Sequence, residues 1–216
     1  SSDVCSSDLD AKEVGKNIGL IPLGFTEIWS ASHDMPIIIS AGDNAEFVAF
    51  CGIDLDITIF NKEEVYLPAF IKTYPFLNVE VENKEKKLNS LIAIDNNPKC
   101  VAKDKKFFIL DKEKNLSKEV ATKVELIKEL NSQRAVCRRI IAELKKLDLL
   151  IKKDLRVKIE GKEEKVILEE FYVINMEKLL KLDDKIIAGF ARKGWMGIFD
   201  AHLKSIGNFE KILKAN

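Results

Sequence analysis

The chain has 216 residues, of which 46% are hydrophobic and 32% are charged, and 35 basic residues balance 35 acidic ones. This length and composition predict one soluble globular domain with a substantial core. A formal net charge of zero provides no overall attraction for nucleic acid or an acidic membrane surface. No apolar run approaches the roughly 20 residues that cross a bilayer, so we expect no membrane span.

The first nine residues, SSDVCSSDL, are left out of the fold prediction. They resemble the translation of a short sequencing adapter, which would make them an artefact and not native structure. We therefore expect a single domain over residues 10–216. We also expect that the true N-terminus, together with any export signal, is missing from this sequence.

The thiols indicate a reducing compartment. The sequence contains four cysteines, none of which forms a Cys-x-x-Cys pair: Cys5, Cys51, Cys100 and Cys137. The two histidines, His33 and His202, are far from all of them in sequence, so we expect no metal site. Free, mostly buried thiols favour a cytoplasmic location, and the cell surface is the alternative if an export signal has been lost.

Short elements occupy the first part of the chain. Apolar residues between 18 and 23 predict a first strand, which Pro22 confines to a sheet edge. Thr26 is the expected N-cap of a short helix over Glu27–His33, with Trp29 facing inward. Three runs then predict an antiparallel meander: Pro36–Ser40, Ala45–Cys51 and Asp56–Phe60.

An aromatic segment follows, in which two prolines bracket one short helix. Pro68 suits the first turn, because its missing N–H is not needed there, and Pro75 cannot continue a helix. Tyr66, Phe70 and Tyr74 recur every four residues and share one face. We interpret this face as part of the core. The alternative is an aromatic wall of a ligand pocket.

A hairpin is predicted after this helix, from Leu77–Val81 and Leu88–Asp95. Cys100–Ala102 and Phe107–Leu110 predict two further short strands. Between these two runs, a lysine-rich loop is typical of an exposed sheet edge that is protected against aggregation.

The longest predicted helix begins near Ser117 and ends near Leu147. Its apolar residues recur at intervals of three or four: Val120, Val124, Ile127, Leu130, Cys137, Ile141 and Leu144. A helix of this length either projects beyond a small sheet or breaks near Asn131. Arg134, Arg138 and Arg139 also lie at helical spacing, and they form either a solvated face or a docking face for an acidic partner.

The last part of the chain predicts a hairpin followed by helices. Leu155–Glu160 and Lys165–Ile174 flank a turn of glycine and charged residues. Asn175 is the expected N-cap of a short helix over Met176–Leu182. Asp183 or the next residue caps a last main helix over about Lys185–Ile206. This pattern predicts an α+β fold: a mostly antiparallel sheet with one long helix, at about 117–147, and a C-terminal helix packed on it.

His202, near the C-terminus, has a side chain that is compatible with several structural and chemical roles. It would share a helix face with Trp195, and we interpret it as a satisfied structural histidine. A general base or a ligand contact is the alternative, because imidazole titrates near neutral pH. No carboxylate follows it at three or four residues, so a metal ligand is not expected.

Two segments resemble one family. YLPAFIKTYPF, at Tyr66–Phe76, is similar to the signature of the SapC family of bacterial proteins, and GWMGIFDAHLKS, at Gly194–Ser205, is similar to that family's closing pattern. The resemblance covers about Leu20–Gly207. The residues that carry it are the candidate pocket or motif residues: Tyr66, Pro68, Phe70, Tyr74, Pro75, Phe76, Trp195 and His202.

The resemblance implies two functions. The family is named for an association with the bacterial surface layer, which implies a non-enzymatic protein that acts through protein contacts in surface-layer assembly. The alternative is a cytoplasmic small-molecule-binding or accessory protein that works with a flavin-dependent halogenase-like or cupin-like oxygenase. No P-loop, dinucleotide fingerprint or nucleophile elbow is present, so we predict no cofactor and assign no catalytic residue.

Overall fold

The structure, a computed structural model, describes residues 11–82, 88–95, 110, 113, 115–157 and 165–213. The predicted strand Cys100–Ala102 and most of Phe107–Leu110 lie outside these residues, as do Cys5 and Cys100. Leu110 itself forms an isolated antiparallel bridge with Leu116.

The described strands form two antiparallel sheets. Their bounds are Leu20–Pro22 (β1), Ile37–Ile39 (β2), Phe47–Phe50 (β3), Phe76–Glu82 (β4), Leu88–Ile94 (β5), Leu150–Val157 (β6) and Lys165–Ile174 (β7). The main sheet has the order β1-β3-β2-β7-β6, and β4 and β5 form a separate hairpin. The predicted edge position of the proline-containing strand is confirmed, because β1 pairs only with β3 in this order.

The helices complete an α+β fold, as predicted. Their bounds are Ala11–Gly15 (α1), Ile28–Ala31 (α2), Ala69–Thr73 (α3), Lys118–Lys146 (α4), Met176–Leu179 (α5), Asp184–Arg192 (α6), Trp195–Ser205 (α7) and Asn208–Leu213 (α8), and 3-10 turns lie at Phe25–Glu27 and Ile59–Asn61. The long helix is continuous through Asn131. Its N-cap is Ser117, whose side chain accepts from the Val120 backbone at 3.4 Å.

The predicted meander is wrong in its third strand. Asp56–Phe60 forms one isolated bridge, between Gly52 and Thr58, and then enters the 3-10 turn at Ile59–Asn61. Local hydrogen bonds account for this. The Asp54 carboxylate accepts hydrogen bonds from the backbone N–H groups of Asp56 and Ile57. The Thr58 hydroxyl accepts a hydrogen bond from the Phe60 N–H. The remaining neighbour of β3 is therefore β1.

The predicted short helix at Glu27–His33 is also shifted. A 3-10 turn with Gly24 as its N-cap precedes α2, and Glu27, not Thr26, is the N-cap residue of α2 itself. This change of helical phase places Glu27 in the interior and leaves Trp29 52% exposed, with its ring 5.9 Å from that of His33. The inward position predicted for Trp29 was therefore wrong.

The predicted C-terminal helix is two helices. Asp183 is the N-cap, and its carboxylate accepts from the Lys185 backbone at 2.8 Å. The chain then breaks at Gly194, which has a left-handed φ of 73°. The helix that starts after this break, α7, packs against β2 and β7.

The core covers both faces of the main sheet. Successive strand residues point to opposite faces, and all three residues of β2, Ile37–Ile39, are at most 1% exposed. Cys137 and Leu144 of α4 and Phe199 of α7 belong to the same cluster. A smaller cluster joins Phe76 to Val120 and Ile127.

Two of the three arginines on α4 form ion pairs within the protein, which we call the Glu46 clamp. Arg134 and Arg138 pair with the two carboxylate oxygens of Glu46, at 2.7 and 2.6 Å. The Glu46 side chain is 12% exposed, so this pair of contacts fastens the segment between β2 and β3 to the long helix. Arg139 is exposed.

Candidate functional site

The signature segment forms the predicted proline-bracketed helix. Pro68 is the N-cap and Tyr74 the C-cap of α3, so the helix ends before Pro75. Ile71 is buried, whereas Tyr66 and Phe70 are half-buried. The aromatic face therefore lies at the boundary between core and solvent.

A buried carboxylate holds the start of this helix. Glu27 is 7% exposed, and its Oε1 accepts from the Ala69 backbone at 2.6 Å and from the Tyr66 hydroxyl at 3.1 Å. Its Oε2 accepts from the Gly24 backbone at 2.9 Å. Three donors therefore compensate for the burial of the charge.

The Tyr66 phenol stays protonated in this environment. Burial raises the pKa of Tyr66, and the negative charge of Glu27 and the hydrogen bond to it raise it further. The ionised phenolate would face a carboxylate at hydrogen-bond distance, which is unfavourable. Tyr66 is therefore a hydrogen-bond donor to Glu27 at neutral pH.

A half-buried amine holds the other end of the helix. Lys123 of α4 donates to the carbonyl oxygens of Lys72 and Tyr74, at 3.1 and 2.6 Å. These carbonyls lie at the negative end of α3, so an ammonium group stabilises them. Burial lowers the pKa of Lys123, and the Glu119 carboxylate acts in the opposite direction.

A cleft of about 170 Å³ lies beside this arrangement, between α3, the 3-10 turn before α2, and α4. Its lining residues are Thr26, Glu27, Tyr66, Ala69, Lys72, Leu126, Glu129, Leu130 and Gln133. The Lys72 ammonium lies 5.3 Å from the centre of the Tyr66 ring. Of the predicted motif residues, Tyr66 is the one that lines this cleft.

The remaining residues of the signature join the helix to the hairpin. The Tyr74 hydroxyl donates to Asp95 at 2.7 Å, and the Asp95 backbone donates to the Pro75 carbonyl at 2.9 Å. Phe76 is buried against α4. These contacts serve the packing of α3 against the β4–β5 hairpin.

The two predicted residues of α7 have separate environments. Trp195 stacks on Phe190 of α6, with ring centroids 5.5 Å apart, and the Lys193 ammonium lies 4.5 Å from its ring centre. His202 is fully buried, and its Nε2 accepts from the Ile174 backbone at 3.2 Å. Trp195 thus fastens α6 to α7, whereas His202 fastens α7 to the sheet.

His202 is neutral at physiological pH. Burial lowers the pKa of its imidazole to about 4, and the backbone of Ile37 acts in the opposite direction. Nδ1 has no hydrogen-bond partner of good geometry among the described residues. The edge of the Phe47 ring packs near the imidazole, at a centroid distance of 5.9 Å.

The two motifs share the main core but not the cleft. Tyr66 and Trp195 both pack against the same hydrophobic cluster that contains Phe199. No hydrogen bond or ring contact of the described residues joins Tyr66 to Trp195 or His202, and neither of these residues lines the cleft. The structure instead brings Tyr66 to Glu27.

Sequence reasoning missed Glu27 and Lys123. A signal for Glu27 was present, because Gly24 and Glu27 have the spacing in which a glutamate accepts from the N-cap backbone. Its contacts with Tyr66 and Ala69 span 39 and 42 residues and leave no local pattern. Lys123 lies 49 residues from Tyr74, and in the sequence it has the pattern of an ordinary lysine on a helix surface.

The described part of the chain has two buried thiols and no cluster of metal ligands. Cys51 and Cys137 are free and buried, and burial raises the pKa of Cys137 to about 12. Within the described ranges, no three His, Cys, Asp or Glu side chains lie together as a metal ion would require. None of the helices described there has the length and apolar character needed to cross a membrane.

Comparisons with known proteins identify the family. No curated protein and no solved structure matches the chain. A family model described as SapC matches residues 4–212, which include both the proline-bracketed segment and the tryptophan-histidine segment. The chain therefore belongs to the SapC family.

Proposed function

We propose that this SapC-family protein acts through contacts with another protein, in a role related to assembly of the bacterial surface layer. Family membership supports the link to the surface layer, because the family is named for that association. The observation that supports protein contacts is the exposed aliphatic face of the β4–β5 hairpin.

One face of this hairpin is aliphatic and open to solvent. Val79 lies directly opposite Leu91, and Val81 lies two residues along the same face. These side chains are 39%, 54% and 44% exposed, respectively. On the opposite face, Phe76 pairs with Ile94 and packs against α4. The hairpin thus buries Phe76 on one face, where Ile92 is still 40% exposed, and leaves the aliphatic residues of the other face uncovered.

Covering this face would be favourable. Burial of apolar side chains contributes roughly 25 cal/mol per Å² of area removed from water, and contiguous exposed aliphatic residues commonly mark interaction sites. The proposed partner is a surface-layer component. The proposed location is the cytoplasm, where an accessory factor would meet its partner before export, and the cell surface is the alternative.

The cleft beside Tyr66 favours a second candidate function. At about 170 Å³ the cleft is smaller than a typical ligand pocket of roughly 300–1,000 Å³, so its occupant would be a very small molecule or the side chain of a partner. The Lys72 ammonium and the Tyr66 ring lie at its wall. In this alternative, the protein binds a small molecule or assists a flavin-dependent halogenase-like or cupin-like oxygenase. The predicted pocket would then consist of Tyr66 with Glu27 in place of Trp195 and His202.

Affinity capture from the source bacterium tests both candidates. The bait is the full chain, compared with the double variant Val79→Lys, Leu91→Lys and with the control Leu180→Lys, which changes a leucine that is 65% exposed on another surface. We expect the wild type and the control to recover a surface-layer subunit, and the double variant to lose it.

Two outcomes would contradict the proposal. Equal recovery of the surface-layer subunit by the double variant would show that the hairpin is not part of the interface. Recovery of an oxygenase in place of a surface-layer subunit would overturn the surface-layer role and support the second candidate. A variant that fills the cleft, Ala69→Leu, should then weaken that capture.

A further inference from the structure

The main sheet has a narrow seam between β2 and β7. These strands pair at Ile39 and Tyr172, whereas β6 and β7 pair along most of their length. The same register, continued by two residues in each strand, would place Ile37 opposite Ile174. Each of these two residues instead donates its backbone N–H to a side chain of α7.

Two side chains of α7 close this seam. The Ile37 N–H donates to the Ser205 hydroxyl oxygen at 2.8 Å, and the Ile174 N–H donates to His202 Nε2 at 3.2 Å. Ser205 and His202 are both fully buried, and the Ser205 hydroxyl donates in turn to the His202 carbonyl at 2.6 Å. A helix therefore supplies acceptors where a strand ladder would otherwise supply them.

The His202 contact requires a neutral ring. Nε2 accepts a hydrogen bond from the Ile174 N–H only while it carries a lone pair, and a protonated imidazole is a donor at both nitrogens. Protonation would therefore set two donors against each other at Nε2. It would also place a positive charge at a side chain that is fully buried.

Among the residues that the structure describes, no charged group compensates for protonation of the ring. The ring meets Ile37 from β2, Phe47 from β3 and Ile174 from β7, all of which are apolar. The charged residues of the described elements around α7 make no ion pair or hydrogen bond with the ring: Glu27, Lys165, Glu169, Glu170, Asp184, Lys185, Arg192, Asp200 and Lys204. Burial accordingly dominates the pKa of His202 and lowers it.

We propose that α7 is an acid-released latch, in which protonation of His202 detaches the helix from the β2–β7 seam while the rest of the fold persists. Release frees the N–H groups of Ile37 and Ile174 at two strand edges, which could then pair with an added strand. This device depends on the fold alone and not on the partner proposed above.

Hydrogen exchange of the backbone amides, followed by NMR between pH 7 and pH 4, tests the latch on the full chain. After correction for intrinsic exchange, we expect the Ile37 and Ile174 amides to exchange roughly a hundredfold faster at pH 4 than at pH 7. The amide of Ile140, in the middle of α4, should keep its protection. His202→Gln keeps an acceptor oxygen but does not titrate, so its seam amides should stay protected at pH 4.

His33→Gln is the matched control, since His33 is exposed and its ring packs on Trp29. This control should behave as the wild type. Equal acceleration in the His202→Gln variant would overturn the latch, and so would simultaneous loss of protection at Ile140, which would indicate global acid unfolding. If that variant does not fold, the pH titration of the His202 ring in the wild type is followed by NMR. A titration midpoint of the ring that differs from the pH midpoint at which the Ile37 and Ile174 amides lose protection contradicts the proposal.

Discussion

The Tyr66 hydroxyl donates to the Glu27 carboxylate at 3.1 Å, across 39 residues of sequence. Glu27 also accepts from the Ala69 backbone, so one buried carboxylate holds both the side chain that precedes α3 and the first turn of that helix. At the opposite end, Lys123 donates to two carbonyls. The family signature is therefore positioned by charges that lie outside it.

The Tyr66–Glu27 hydrogen bond should contribute measurably to the free energy of unfolding. We expect Tyr66→Phe to lower the free energy of unfolding by about 1–2 kcal/mol, because the carboxylate loses one of three donors. Glu27→Gln should cost more, roughly 2–3 kcal/mol, since its amide group would face a backbone N–H. Urea unfolding provides both values. Tyr172→Phe is the control, and an equal loss in that variant would contradict a specific role for Tyr66.

Replacing Lys123 should loosen the end of the signature helix. Lys123→Met keeps the aliphatic stem but removes the ammonium, and we expect a loss of about 1–2 kcal/mol because two carbonyls lose a charged donor. Lys128→Met is the matched control on the same helix, since its pair with Glu125 is exposed and worth under about 0.5 kcal/mol. Equal midpoints in urea for both variants would exclude the capping role.

The Glu46 clamp should be stabilising and insensitive to salt. Glu46→Gln leaves Arg134 and Arg138 without their shared carboxylate, and we expect a loss of about 2–3 kcal/mol in the free energy of unfolding. The Glu46 side chain is 12% exposed, so added salt should change this difference little. Arg139→Gln, on the exposed side of α4, should be nearly neutral. If the stability difference between the wild type and Glu46→Gln disappeared in high salt, the contact would instead behave as a surface ion pair.

A side chain at Gly194 should be destabilising because of the backbone conformation alone. A Cβ added there meets nothing within 4 Å, but the φ of 73° is left-handed, so Gly194→Ala should cost about 1 kcal/mol. Gly189, within α6, also has open space, and Gly189→Ala should stabilise by roughly 0.5–1 kcal/mol. Thermal unfolding should show opposite shifts. Shifts of the same sign would argue against the strained break between α6 and α7.

Several elements could be predicted because their signals are local. Ser117 and Asn175 each accept from a backbone N–H three residues later, which is a pattern that any short window contains. Pro68 and Pro75 bracket α3 in the same way. The alternation in Leu77–Val81 likewise predicted the β4–β5 hairpin.

The errors arose where distant partners override a local pattern. Asp56–Phe60 alternates as a strand would, yet β3 pairs with β1, which lies earlier in the chain. Trp29 looks like a core residue, but the 3-10 turn before α2 changes the phase and exposes it. Of the candidate site, Tyr66 could be identified from the sequence, whereas the contacts of Glu27 with Tyr66 and Ala69 could not, because they span 39 and 42 residues.

The sequence by itself determined the fold class, the bracketed helix and the family, since caps, prolines and short motifs act over a few residues. Only the tertiary structure decided that Tyr66 meets Glu27 and that His202 closes a seam of the sheet. Both contacts join segments far apart in the chain. Such contacts form because buried polar groups must find partners once the core has assembled, and no local pattern records which partner that will be.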